Sequence, residues 1–101
     1  MYYLYILYSN SSDKFYVGQS SDPWRRLEEH NTSPLNTFSS KHRPWVIKSI
    51  FGPFENRSEA MNLEKFIKKQ KSKSLLEKLI DPEFKPSGKL AQLVRVPHVR
   101  D

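Results

Sequence analysis

Residues 2–8 are aromatic and aliphatic without a polar break, a pattern that suits a strand buried on both faces. Ser9-Asn10-Ser11-Ser12-Asp13 has turn composition, and residues 14–19 resume strand character, so the two runs read as an antiparallel hairpin. Residues two apart on a strand share a face, which groups Tyr3, Tyr5 and Leu7 on the first run and Tyr16 and Gly18 on the second. Asp22-Pro23 opens a helix, with an acceptor side chain at the N-cap and then a residue that has no N–H to lose. That helix is expected to end near Asn31. Residues 32–43 are rich in Ser, Thr and Asn and read as a long loop. Residues 44–51 are predicted as a third strand, stopped by Gly52-Pro53. Asn56, with Glu59 three residues on, has the form of a capping box. Behind it Ala60, Leu63, Phe66 and Ile67 recur at helical spacing to about Gln70. Ser72 caps a short third helix carrying Leu75, Leu76, Leu79 and Ile80. The order β-β-α-β-α-α predicts an α+β domain, a three-stranded antiparallel sheet flanked by helices.

Beyond Ile80 the pattern changes. Pro82, Pro86, Ser87 and Gly88 break regular structure, so the domain is expected to occupy residues 1–80, with residues 81–101 a linker and disordered tail. The apolar run of residues 90–96 is unusual for a tail, and one back-translation of it resembles the D-arm of a transfer-RNA gene. A run-on reading frame without an evolved role is therefore expected there; the competing reading is a docking strand or partner motif.

Composition narrows the function. A chain of 101 residues that is 37% hydrophobic supports one small core. Seventeen Lys and Arg stand against eleven Asp and Glu, a formal charge of +6, which favours a polyanionic partner through counterion release. The absence of cysteine excludes disulfide scaffolds, thiolate zinc sites and cysteine nucleophiles. No apolar run reaches the roughly 20 residues that span a bilayer, and the N-terminus lacks a basic n-region. A cytoplasmic protein with no membrane partner is expected.

Several residues could carry chemistry. Cutting a phosphodiester needs an activated water, neutralised phosphate oxygens and a protonated leaving group. A divalent metal anchored on a carboxylate supplies much of this. Glu64, at the edge of the second helix's apolar stripe, is the candidate anchor, or a surface Glu paired with Lys68 at i+4. Arg26 and His30 are four apart on the first helix and share a face. Arg is the preferred fork for phosphate oxygens, and His shuttles protons near neutrality; a solvated helix face would look the same. Arg25 should point elsewhere and matter less. Tyr5 and Tyr16 are packing residues or, beside a metal-bound water and an Arg, phenols able to lose a proton. Gly18 could admit a ligand backbone or mark a strand-end kink. Lys68 and the neighbouring lysines form a basic stripe that, with Lys41, His42 and Arg43, could flank a phosphate backbone.

Taken together, Tyr3-Leu4-Tyr5, Tyr16-Val17-Gly18, Arg26 eight residues later, His30 one turn on, and Glu64 within Leu63-Glu64-Lys65-Phe66-Ile67-Lys68 resemble the GIY-YIG endonuclease domain family over residues 1–80. His30-Asn31, Arg43-Pro44-Trp45 and Ser58-Glu59-Ala60 look like its small stand-alone bacterial members, akin to the N-terminal nuclease domain of the excision-repair excinuclease. Two departures stand out: Tyr3 replaces the Gly of the first motif, and Gln19 sits where several active members have Lys.

The resemblance implies a metal-dependent DNA endonuclease of low sequence specificity, with a place in DNA repair or recombination. One Mg²⁺ or Mn²⁺ would sit on Glu64, Arg26 would hold the scissile phosphate, and Tyr5, Tyr16 and His30 would handle the water and protons. Gly18, Gln19, Lys41, Arg43 and Lys68 would contact the substrate. The DNA could be single-stranded, double-stranded or branched, and a protein partner could supply specificity. The alternatives are a non-catalytic nucleic-acid binder and a protein-interaction module.

Overall fold

The computed structural model describes residues 1–34 and 38–97. Strand β1 (Tyr2–Ser9) turns into β2 (Lys14–Ser20), followed by helix α1 (Pro23–Thr32), one helical turn α2 (Phe38–Lys41), strand β3 (Trp45–Phe54), helix α3 (Arg57–Gln70) and helix α4 (Lys73–Leu79). The sheet order is β2-β1-β3, antiparallel throughout. The expected α+β architecture is present, and the unbroken apolar run at the start is the middle strand.

Both faces of β1 are covered. Leu4 and Ile6 join Leu63 and Ile67 of α3 and Leu79 of α4 on one side, while Tyr5 and Leu7 pack with Trp24 and Leu27 of α1 on the other. Local signals set the helix ends. Asp22 accepts from the Arg25 N–H at 3.1 Å, Asn56 from Glu59 at 3.0 Å and Ser72 from Leu75 at 3.0 Å, each satisfying a donor that has no partner within its helix.

Three expectations are corrected. Gly52-Pro53 does not end β3; the strand continues to Phe54 through a change of register opposite Tyr2 and Leu4. A bulge tolerates both residues, because Gly52 has φ +140° and Pro53 needs no ladder donor there. Part of the expected loop at 32–43 is helical, as α2; its residues 35–37 lie outside the described residues.

The expected disordered tail is packed as far as Pro97. After a 3-10 turn at Gly88–Gln92, Leu90 and Leu93 are buried in the main core. Gly52 N–H donates to the Val94 carbonyl at 2.9 Å, and Val96 N–H to Ile50 at 2.8 Å. Arg95 donates to Ser49 Oγ and to the carbonyls of Leu79 and Asp81, each at 2.9 Å. The segment is a strap along the outer edge of β3, driven there by its apolar residues and by the unpaired strand groups they cover. Residues 98–101 of the expected tail lie outside the described residues. Among the described residues no helix is long and apolar enough to cross a membrane.

Candidate active site

Helix α1 is pinned at its C-terminal end by side chains that mimic backbone. The Asn31 amide donates to the Trp45 carbonyl at 3.0 Å and accepts from the Trp45 N–H at 2.7 Å. Arg43 donates from Nε to the His30 carbonyl at 2.6 Å and from Nη2 to the Ser33 carbonyl. The Arg43 bonds satisfy carbonyls that the helix end leaves free. Arg43, expected to touch substrate, is therefore occupied in holding α1 on β3.

Pinned this way, α1 lays His30 over the sheet. The Tyr5 hydroxyl lies 3.2 Å from His30 Nε2, and the Tyr16 ring stands 4.4 Å from the imidazole and 6.5 Å from the Tyr5 ring, centre to centre. Gly18 is the strand partner of Tyr5, and a Cβ there would fall 2.5 Å from the Tyr5 hydroxyl oxygen. Gly18 permits the close approach of the Tyr5 ring.

Burial and charge fix the protonation of this cluster. Desolvation pushes the Tyr5 phenol up to about 12, against the pull of the adjacent Arg26 guanidinium. His30 is held down to about 4, first by burial and then by the positive charge of Arg26. At neutral pH His30 is therefore uncharged and Tyr5 protonated. The neighbouring Tyr5 phenol drives Arg26 further into its charged form, and the Tyr5 hydroxyl and His30 Nε2 share one hydrogen bond. Arg26 also pairs with Glu29 at 2.9 Å and remains partly open to solvent.

Glu64 comes from the opposite layer. Its helix, α3, packs over the edge strand β2, and Lys68 one turn on brings its Nζ 5.7 Å from the centre of the Tyr16 ring. Lys68 also bonds Glu64 at 2.7 Å, and the Glu64 side chain is 20% exposed. Lys68 thus links Glu64 to the Tyr16 ring, and Tyr5, Tyr16, Arg26, His30, Glu64 and Lys68 form one neighbourhood around β2. Among the described residues no three His, Cys, Asp or Glu side chains cluster as a metal site. A lone carboxylate suits a hard cation that takes its other oxygens from water and phosphate, as Mg²⁺ does.

Lys41 is exposed on α2. Gln19 is half-buried, with its carbonyl oxygen buried and unpartnered among the described residues. It lines a groove of about 360 Å³ with Tyr2, Ser20, Arg25, Arg26 and Arg57. Arg25, expected to point elsewhere, thus shares a groove with Arg26, and Arg57 was not foreseen at all. One signal was available: both occupy first turns, where the helix dipole disfavours cations. A positive charge placed against the dipole points to an anion nearby, which for Arg25 is Glu29 at 3.8 Å.

Residues 1–78 match the GIY-YIG catalytic domain. The UPF0213 protein of Enterococcus faecalis is 41% identical over 70 residues, 67% of this chain and 77% of that protein. The structure-specific endonuclease subunit slx1 of Schizosaccharomyces pombe is 40% identical over 68 residues, and its counterpart in Meyerozyma guilliermondii 37%. Each of these fungal alignments covers 62% of this chain but only 25% and 23% of the fungal proteins' own length. The fungal proteins are thus similar to this chain across a shared stretch and carry much beyond it. The matched stretch contains both tyrosine strands, α1 and the glutamate-bearing helix, and by that match the chain belongs to the GIY-YIG catalytic domain family.

Proposed function

We propose that the chain is a divalent-metal-dependent DNA endonuclease, active on phosphodiesters with little sequence preference. The observation that carries this is the meeting, around Tyr16 of the edge strand β2, of Arg26 and His30 from α1 and the Glu64–Lys68 pair from α3. Packing alone gives no reason to collect a guanidinium, two phenols, an imidazole and a carboxylate there. The names of the fungal relatives, structure-specific endonuclease subunits, support DNA, branched DNA included, as substrate and a role in repair or recombination. Because those relatives are subunits and far longer, a partner protein that supplies specificity is part of this reading.

Glu64 would hold one Mg²⁺ or Mn²⁺, which when bound offsets phosphate charge and polarises the attacking water. Arg26 takes the non-bridging oxygens of the scissile phosphate; its charge is constant, and its bonds strengthen as negative charge builds. Tyr16, half-buried and beside Lys68, is the phenol that orients the water; as a phenolate, its own proton lost to solvent beforehand, it would take the water's proton. Tyr5 is too buried, and held too firmly protonated, to act as a base itself. It serves to position the cluster, its hydroxyl hydrogen-bonded with Nε2 of the neutral His30 and packed close against Gly18.

The Glu64–Lys68 pair at 2.7 Å favours a second reading, a metal-free DNA-binding domain in which Glu64 only orders a lysine. Incubating supercoiled, single-stranded and branched DNA with Mg²⁺ or Mn²⁺, wild type beside Glu64→Ala, separates the two. Metal-dependent cleavage that vanishes in the variant supports the nuclease. Salt-sensitive binding without cleavage, unchanged by the variant, supports the binder.

A further inference from the structure

A second groove, of about 460 Å³, opens on the other side of Tyr16, between β2 and the α3–α4 corner. Its floor is apolar: Phe15, Val17, Ile67 and Leu76. Its rim carries Lys14, Lys68, Lys71 and Lys73. Lys73 is bonded to Asp13 and Lys68 to Glu64, while Lys14 and Lys71 are exposed with no ion pair among the described residues. Tyr16 and Lys68 belong both to this groove and to the candidate active site, so whatever lies in the groove leads directly to the site.

The two grooves flanking the site therefore differ in chemistry. The arginine groove is polar throughout and suits phosphate oxygens alone. The lysine groove combines cations with an apolar floor that paired DNA would leave unused, since a duplex turns its sugars and phosphates outward and keeps its bases stacked inside. An apolar wall beside cations is what an unstacked base and its phosphates require. We propose that the lysine groove seats one unpaired nucleotide next to the scissile phosphate, with its base against Phe15 and Leu76 and its phosphates on Lys14 and Lys71. This rests on the nuclease reading and adds the substrate class, a strand with at least one unpaired nucleotide beside the cut.

The test is a binding scan on Glu64→Gln, which leaves the strand intact. Short oligothymidylates carrying one abasic residue at successive positions are titrated against it. One position should bind about tenfold more weakly, the scale of one base–aromatic stack, and Phe15→Leu should erase most of that difference. Lys14→Ala should lower the salt slope of binding by about 0.7, one single-strand phosphate contact, and being exposed it leaves folding intact. A flat scan, a penalty that survives Phe15→Leu, or an unchanged slope in Lys14→Ala would overturn the assignment. A flat abasic scan together with polyglutamate binding that Phe15→Leu and Lys14→Ala both weaken would give the groove to an acidic protein segment instead. Failure of the nuclease reading would show separately, as wild type that cuts no DNA with metal present.

Discussion

On the α3 and α4 side of the sheet the contacts are aliphatic, with Leu4, Ile6, Leu63, Ile67 and Leu79 all essentially buried. On the α1 side the same central strand presents Tyr5 to His30, and the helix is held by Asn31 and Arg43 through directed hydrogen bonds. Aliphatic burial is non-directional and worth about 2 kcal/mol for each side chain. A neutral hydrogen bond adds about 1 kcal/mol but fixes an atom's position. One face therefore supplies stability and the other geometry. Glu64 belongs to the first face by its helix and to the second by its charge, which is why the site lies at β2, where the layers meet.

The sharpest way to break this contrast is a pair of substitutions. Arg26→Ala should lower cleavage about a thousandfold, the loss of one charge-stabilising donor set, with little change in urea unfolding. Leu79→Ala should do the reverse, costing about 3 kcal/mol in the urea titration while each folded molecule keeps its rate. If both variants lost stability and rate together, the division between faces would fail.

Gly18→Ala probes the junction inside the geometric face. Its new methyl would meet the Tyr5 hydroxyl at 2.5 Å, so Tyr5 must move off His30 or β2 must shift. We expect about 2 kcal/mol of destabilisation by thermal melting, in the range of core overpacking, together with a larger loss of cleavage than that alone explains.

Acid distinguishes the faces without mutation. His30 titrates near 6.5 when unfolded and near 4 when folded, so between those values the unfolded chain binds a proton the native one refuses. Stability contributed by the neutral imidazole is present above about pH 6.5 and is lost as pH falls toward 4, by about 3 kcal/mol in all. Denaturant titrations across that range should show the slope in wild type and lose it in His30→Gln. The smallest effect is expected from Arg25→Ala: cleavage within about threefold of wild type, and a salt slope of DNA binding reduced by about one phosphate contact. An unchanged slope would remove Arg25 from the arginine groove's function.

Much of this was visible in the residue pattern because it depends on neighbours in sequence. The capped helix starts at Asp22, Asn56 and Ser72 are local chemistry, and an unbroken apolar run has few places to lie except mid-sheet. The spacing from Tyr16 to Arg26 and His30 carried the family resemblance, and with it the residues now found around β2. What was not legible there depends on residues far apart in sequence. Arg43 reads as a free cation until the end of α1 is laid beside it. Gly18 reads as a strand kink until Tyr5 is placed opposite. Residues 90–96 look like an unstructured extension because what they cover, the outer edge of β3, was itself expected to stop at Gly52. Arg57 joins Arg25 only once α1 and the start of α3 meet at one corner of the sheet.

The strap also decides which side of the molecule is open to company. A bare outer strand is a template on which any extended chain can continue the sheet. Val94 and Val96 occupy those groups on β3, while no strand pairs with the outer edge of β2 among the described residues. Unwanted self-association is thereby discouraged on one flank and left open on the other, where Lys14 repels like-charged copies and draws in anions. A partner that adds a strand to this domain would have to do so beside Tyr16, and in doing so would cover or reshape the approach to the site.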